Sequence, residues 1–298
     1  MKRPVLALTG AALIGLAAFL LVTAPRMSAT EGLALLKADP GHGAQVFTAA
    51  GCASCHMAPG AKDEAQQVLA GGQEFASPFG TFLAPNISPD PAAGIGGWTL
   101  AQFAGALRDG VSPAGSHYYP ALPYAAYAKM TDQDLVDLWA FVQTLPASAT
   151  PSQPHRIGFP FNIRRSLGGW KLLFQTRGWV LENAPTPDLE RGRYIVEALA
   201  HCGECHTPRN AFGGLKTAQW LGGAADPSGK GRIPNITPGR LTWSEAEIVE
   251  YLTTGFTPEF DSVGGHMAHV VDNMAALPES DRKAVAAYLK AIPAVAGE

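Results

Sequence analysis

The residue types that could do chemistry in this chain are concentrated in two short stretches. Cys52-Ala53-Ser54-Cys55-His56 sets two thiols three positions apart with an imidazole directly behind them, and Cys202-Gly203-Glu204-Cys205-His206 repeats the arrangement. Two cysteines at that spacing can each add their sulfur across a vinyl group of one porphyrin, and the adjoining histidine then falls beneath the iron. C-x-x-C-H is accordingly the signal for covalent c-type haem attachment. These four cysteines are all that the chain contains, so no thiol remains for a disulfide or a nucleophile. A four-cysteine zinc site would space its pairs about 15–20 residues apart, whereas a domain's length separates Cys55 from Cys202. A redox dithiol would sit near a βαβ pattern, and none is present. The reading is two haem c groups, attached through Cys52, Cys55, Cys202 and Cys205, with His56 and His206 as proximal ligands.

The sixth iron ligand must then come from later in each half, and His with Met is the usual cytochrome c pair. Six methionines are available: Met1, Met27, Met57, Met130, Met267 and Met274. Met1 and Met27 belong to the N-terminal segment, and Met57 follows His56 too closely to reach the opposite face. Met130 is therefore the expected distal ligand of the first haem, with His117 as the competing soft ligand. In the second half Met267, in the flexible Gly264-Gly265-His266-Met267 loop, is favoured, while Met274, His266 and His269 stay open. Methionine ligation favours Fe(II) more than a second imidazole does, and an iron so ligated offers substrate no open position. Its task is one-electron transfer.

The elements that must hold these residues follow from composition and patterning. The 298 residues suit about two domains, and 47% hydrophobic with 16% charged residues describe a globular chain. A net charge of −3 carries no footprint of nucleic-acid binding. Residues 1–30 form a signal or anchor: Lys2 and Arg3 precede an apolar run from Val5 to Val22, just sufficient for a membrane helix. Around Ala24 and Ala29 the cleavage context is poor, so an uncleaved anchor is favoured over a cleaved signal, and the positive-inside rule puts the rest of the chain outside the cytoplasm.

Residues 31–146 read as the first haem domain, with helices over Trp98–Gly110 and Asp132–Leu145. Residues 147–187 are a connector whose apolar middle packs on the domains, with Arg164 and Arg165 as candidates to pair haem propionates. Residues 188–298 repeat the first domain. Pro234-Asn235-Ile236-Thr237-Pro238 answers Pro85-Asn86-Ile87-Ser88-Pro89, and Trp243, Leu252, Gly255 and Pro258 keep the mutual spacing of Trp98, Leu107, Gly110 and Pro113. Self-similarity on this scale marks a duplicated domain.

Both halves resemble class I cytochrome c domains: an N-terminal helix, the haem motif, and a terminal helix with an aromatic residue ending in Leu/Ile-Pro. The segments from His117 to Tyr124, from Phe159 to Arg165, and from Cys202 to Asn210 are similar to the cytochrome c subunits of membrane-bound bacterial alcohol and sugar dehydrogenases. The resemblance implies a mainly α fold of two tandem class I cytochrome c domains behind an N-terminal membrane helix. It implies no catalysis by the chain itself but an electron carrier, or an electron-transfer subunit of a dehydrogenase complex, anchored in the inner membrane and facing the bacterial periplasm. Such subunits take electrons from a dehydrogenase and pass them to a quinone, cytochrome or oxidase. This chain has two haem motifs where alcohol dehydrogenase subunits have three, and Leu122 where many relatives have methionine. Two other readings compete: the di-haem subunit of a cbb-type oxidase, and a di-haem enzyme of the peroxidase or thiosulfate dehydrogenase type.

Overall fold

A computed structural model describes residues 2–227, 229 and 231–296; Met1, Ser228, Lys230, Gly297 and Glu298, and the side chains of residues 2–9 and 11, lie outside that description. The chain opens with α1 (Lys2–Val22). Among the described residues no helix is long and apolar enough to cross a membrane, which corrects the expected N-terminal membrane helix. Lys2, Arg3 and Pro4 open α1, and Thr9, Gly10 and Gly15 interrupt its apolar run. Its far end is also tied to the protein's own body. The Thr23 carbonyl accepts a hydrogen bond from His117 Nε2 at 2.9 Å, the Thr23 hydroxyl accepts one from Arg165 Nε, and Arg165 also bonds the Leu20 carbonyl. Just beyond, the Ser28 amide and hydroxyl both donate to the Asp109 carboxylate.

The first half follows. Asp39 caps α2 (Pro40–Ala49) by accepting from the Gly41 and His42 amides, and Pro40 takes the first helical turn, where its missing N–H costs nothing. Gly51, at φ 61°, turns the chain into α3 (Cys52–His56). Antiparallel β1 (Glu74–Ser77) and β2 (Gly80–Leu83) come next. A Thr99–Gln102 capping box opens α4 (Leu100–Asp109), and Gly110 in the left-handed region ends it. The short α5 (Tyr124–Tyr127) leads to α6 (Asp132–Val142). Both longer helices lie where the apolar periodicity puts them, each shorter than expected by a residue or more at an end. α2 crosses α6 at Gly43, where a Cβ would stand 2.1 Å from the Asp137 carbonyl oxygen, so only glycine lets the backbones meet. Phe47 and Phe141 pack edge to face beside that crossing, 5.2 Å between centroids.

The connector adds β3 (Arg156–Ile157) to the edge of β2 and forms α7 (Ser166–Phe174). Arg164 donates to the His117 carbonyl and lies over the Tyr119 ring.

The second half repeats the order. α8 (Pro187–Tyr194) runs into a π-helical turn, Ile195–Leu199. α9 (Gly203–His206), β4 (Ala224–Ala225) and β5 (Arg232–Ile233) follow, then α10 (Glu245–Thr254) with a Ser244–Glu247 capping box. α11 (His266–Ala275) and α12 (Glu279–Ala291) complete it. Gly192 meets α12 as Gly43 meets α6, its Cβ position 2.0 Å from the Ala284 carbonyl oxygen. The π turn has a simple cause. Gly43 stands nine positions before Cys52 but Gly192 stands ten before Cys202, and a π bulge absorbs one extra residue in a helix. Keeping Gly192–Val196 in step with Gly43–Phe47, and Ala198–His201 with Thr48–Gly51, makes Glu197 the added residue.

The halves meet reciprocally. α5 packs on the π turn that leads to Cys202, and α11 packs on α2, which leads to Cys52.

Candidate functional site

Each Cys-x-x-Cys-His stretch folds as one short helical turn, which puts both sulfurs and the imidazole on neighbouring positions of a single surface. Cys52, Cys55 and Cys202 are half-buried and Cys205 is exposed, and none is in a disulfide. Burial pushes the Cys52 and Cys202 thiols up to about 12. Cys55 is raised to about 11, by burial first and then by Cys205.

The histidines are held identically. His56 Nδ1 is 2.8 Å from the Pro85 carbonyl oxygen, and His206 Nδ1 is 2.8 Å from that of Pro234. A carbonyl can only accept, so each Nδ1 carries the proton and each Nε2 presents its lone pair. Burial lowers the pKa of both rings against the opposing pull of those carbonyls, which keeps them neutral at physiological pH. The chain behind each histidine is also pinned, by Gly71 N–H to the His56 carbonyl and Gly223 N–H to the His206 carbonyl, both at 2.7 Å.

The two prolines are held in turn by the asparagines that follow them. Asn86 donates through Nδ2 to the Ser148 and Thr150 carbonyls and accepts from Ser88 N–H. Asn235 donates to the Val295 carbonyl and accepts from Thr237. Both clamps reach the chain just past the last helix of their own half. The repeated Pro-Asn-Ile-Ser/Thr-Pro marks these loops in the sequence as a matched pair, but their task of orienting an imidazole is visible only in the structure.

The candidate distal residues are placed differently in the two halves. Met130 is buried at the end of the turn after α5, its amide bonded to the Tyr127 carbonyl and its own carbonyl accepting from Arg108. Met267 is half-buried in the first turn of α11 and packs against the core, whereas Met274 is buried in it, its carbonyl accepting from Arg282. His117 is engaged by Thr23. His266 lies against the Phe75 ring and His269 faces Asp272. Arg164 and Arg165 are occupied by the backbone and hydroxyl contacts described above.

A family model for cytochrome c matches residues 41–146. The chain is 52% identical to a di-haem cytochrome c-type protein of Cereibacter sphaeroides, over 99% of this chain and all of that one. The chain belongs to the di-haem cytochromes c. This cytochrome is also 40% identical to the fructose dehydrogenase cytochrome subunit of Gluconobacter japonicus, over 83% of the chain and 51% of the relative. It is 37% identical to the cytochrome c subunit of the quinone alcohol dehydrogenase of Gluconobacter oxydans, over 96% of the chain and 60% of the relative. The cytochrome thus spans the whole of one relative and about half to three-fifths of the other two. All three are cytochromes by name, which agrees with electron transfer rather than catalysis as the task of this chain, and with two haem c as its cofactors. The side chains fit such a group: paired thiols outside any disulfide, and a neutral histidine locked in the tautomer that offers Nε2 to a metal.

Proposed function

We propose that this cytochrome is a periplasmic di-haem relay that takes electrons one at a time from a dehydrogenase and hands them to a respiratory acceptor. In this reading residues 31–146 hold one haem through Cys52 and Cys55, and residues 188–298 hold the other through Cys202 and Cys205, with residues 147–187 packed on these domains. When bound, each haem supplies an iron that alternates between Fe(III) and Fe(II). His56 and His206 would hold the irons through Nε2, while the Pro85 and Pro234 carbonyls keep each imidazole neutral and fixed in orientation. Met130 would supply the second protein ligand of the first iron and Met267 that of the second, with Met274 as the alternative. With both positions filled by these residues, neither site would leave room for substrate at the metal. The names of the relatives support a dehydrogenase as donor, and a quinone, a cytochrome or an oxidase fits as acceptor.

One observation carries this reading: the His–Pro carbonyl clamp occurs twice with the same length, each beside its own cysteine pair. Methionine ligation is tested by M130L, M267L and M274L, followed through the weak optical band that reports a thioether on Fe(III). M130L and M267L are each expected to remove half of that band, and M274L to leave it intact. Loss of half the band in M274L with none in M267L would transfer the second ligand to Met274.

A further inference from the structure

The residue before each haem motif occupies a left-handed conformation, and the two halves fill it differently. The first half uses Gly51, at φ 61°. The second uses His201, at φ 41°, a conformation that costs any side chain bearing a Cβ. A glycine would meet the backbone requirement without strain, so the imidazole is retained against a local penalty.

Its surroundings show what it touches. The His201 ring meets the Tyr127 ring edge to face, centroids 5.6 Å apart and planes at 80°. Tyr127 comes from α5 of the first half, is buried, and donates its hydroxyl to the Ala50 carbonyl at 3.2 Å. Ala50 lies two residues before Cys52, and its carbonyl also faces the His201 imidazole. Tyr127 and the Ala50 carbonyl therefore join the approach to one cysteine pair to the residue adjoining the other. A second contact lies nearby, where Asn273 of α11 donates to Ser54 Oγ, between the first two cysteines, at 2.9 Å.

We propose that His201 is a positioning residue for electron exchange between the two haems, its ring wedged against Tyr127 and Ala50 so that it fixes the separation and orientation of the two attachment motifs. The step it serves moves one electron: one iron goes from Fe(II) to Fe(III) as the other goes from Fe(III) to Fe(II), with no bond made or broken and no proton transferred. This rests on the reading of both motifs as haem sites.

The test uses the full-length cytochrome with its haems attached, comparing wild type with H201G and H201F. Haem content comes from the pyridine haemochrome, inter-haem geometry from magnetic broadening in EPR, and the electron-exchange rate from relaxation after photoreduction of one haem. H201G reproduces the turn of the first half and relieves the strained backbone, so it is expected to keep two haems per chain. Its exchange rate should fall several-fold and its inter-haem broadening should change. H201F keeps a ring against Tyr127 and is expected to recover most of the wild-type rate. H201G with two haems, an unchanged rate and an unchanged EPR spectrum would overturn the proposal. Wild-type protein lacking two covalent haems would instead overturn the site reading beneath it.

Discussion

The two halves build the same site with different edges. Both keep a glycine where the first helix crosses the last, a proline carbonyl 2.8 Å from the histidine Nδ1, and an asparagine that ties the proline loop to the chain past the last helix. They part where each site meets its neighbour. The second half inserts Glu197 into its first helix and replaces the glycine before the motif with His201. The proline carbonyls that orient the imidazole are thus the same in both copies, while Glu197 and His201 join the second copy to the connector and to the first.

Glu197 shows the second kind most clearly and gives the largest expected effect. Its carboxylate is 1% exposed and accepts from the Val180 amide at 2.6 Å, the Leu181 amide at 3.0 Å and the Tyr288 hydroxyl at 2.8 Å. Trp220 Nε1 donates in turn to that hydroxyl. E197A strands two part-buried amides and the buried Tyr288 hydroxyl, an unsatisfied buried group costing about 1–3 kcal/mol. Chemical denaturation is expected to show a loss of about 3 kcal/mol or more, together with loosening of residues 180 and 181 in hydrogen exchange. A loss below about 1 kcal/mol would mean that water replaces the carboxylate and that the insertion is incidental.

The shared framework is sharpened by a matched pair of variants. G43A and G192A each force a methyl group onto a backbone carbonyl at 2.0–2.1 Å, and overpacking of this kind costs about 1–3 kcal/mol. The two are expected to destabilise by similar amounts in thermal melts. A large cost at one site and none at the other would break the equivalence of the crossings.

The smallest effect concerns how the N-terminal segment docks, which has no counterpart in the second half. Burial lowers the His117 pKa, against the pull of the Thr23 carbonyl and with Lys171 and Arg165 acting in the same direction as burial. A histidine whose folded pKa lies below its ordinary value of about 6.5 binds more protons when unfolded. Its contribution to stability is therefore present above that pH and is lost as pH falls from there through the folded pKa. Proteolysis around Thr23 is expected to quicken, and hydrogen-exchange protection there to fall, as pH drops below about 6.5, and H117Q should flatten that dependence.

Much of this was legible in the sequence because cysteine spacing, helix caps and repeated loops act through neighbours in the chain. Thr99 with Gly110 and Ser244 with Gly255 bracket their helices on local grounds, and the two Pro-Asn loops declare themselves as a pair. The partners of those loops were not legible, because Pro85 meets His56, and Asn86 meets Ser148, only after the chain has closed. Tyr127 and His201 are ordinary residues until α5 packs on the π turn. The N-terminal helix misled for a related reason. Its length and apolar content suit a span when residues are counted one by one, whereas Gly10, Gly15 and the charged start weaken the run, and Thr23 is held by residues nearly a hundred and more positions away.

The most direct test of the central claim is a combined optical and EPR redox titration of the purified cytochrome, repeated under carbon monoxide. Two low-spin haems, each closed by histidine and methionine and neither taking up the gas, is the predicted result. A single high-spin or readily ligated haem would contradict a pure relay and point to a site where substrate binds iron.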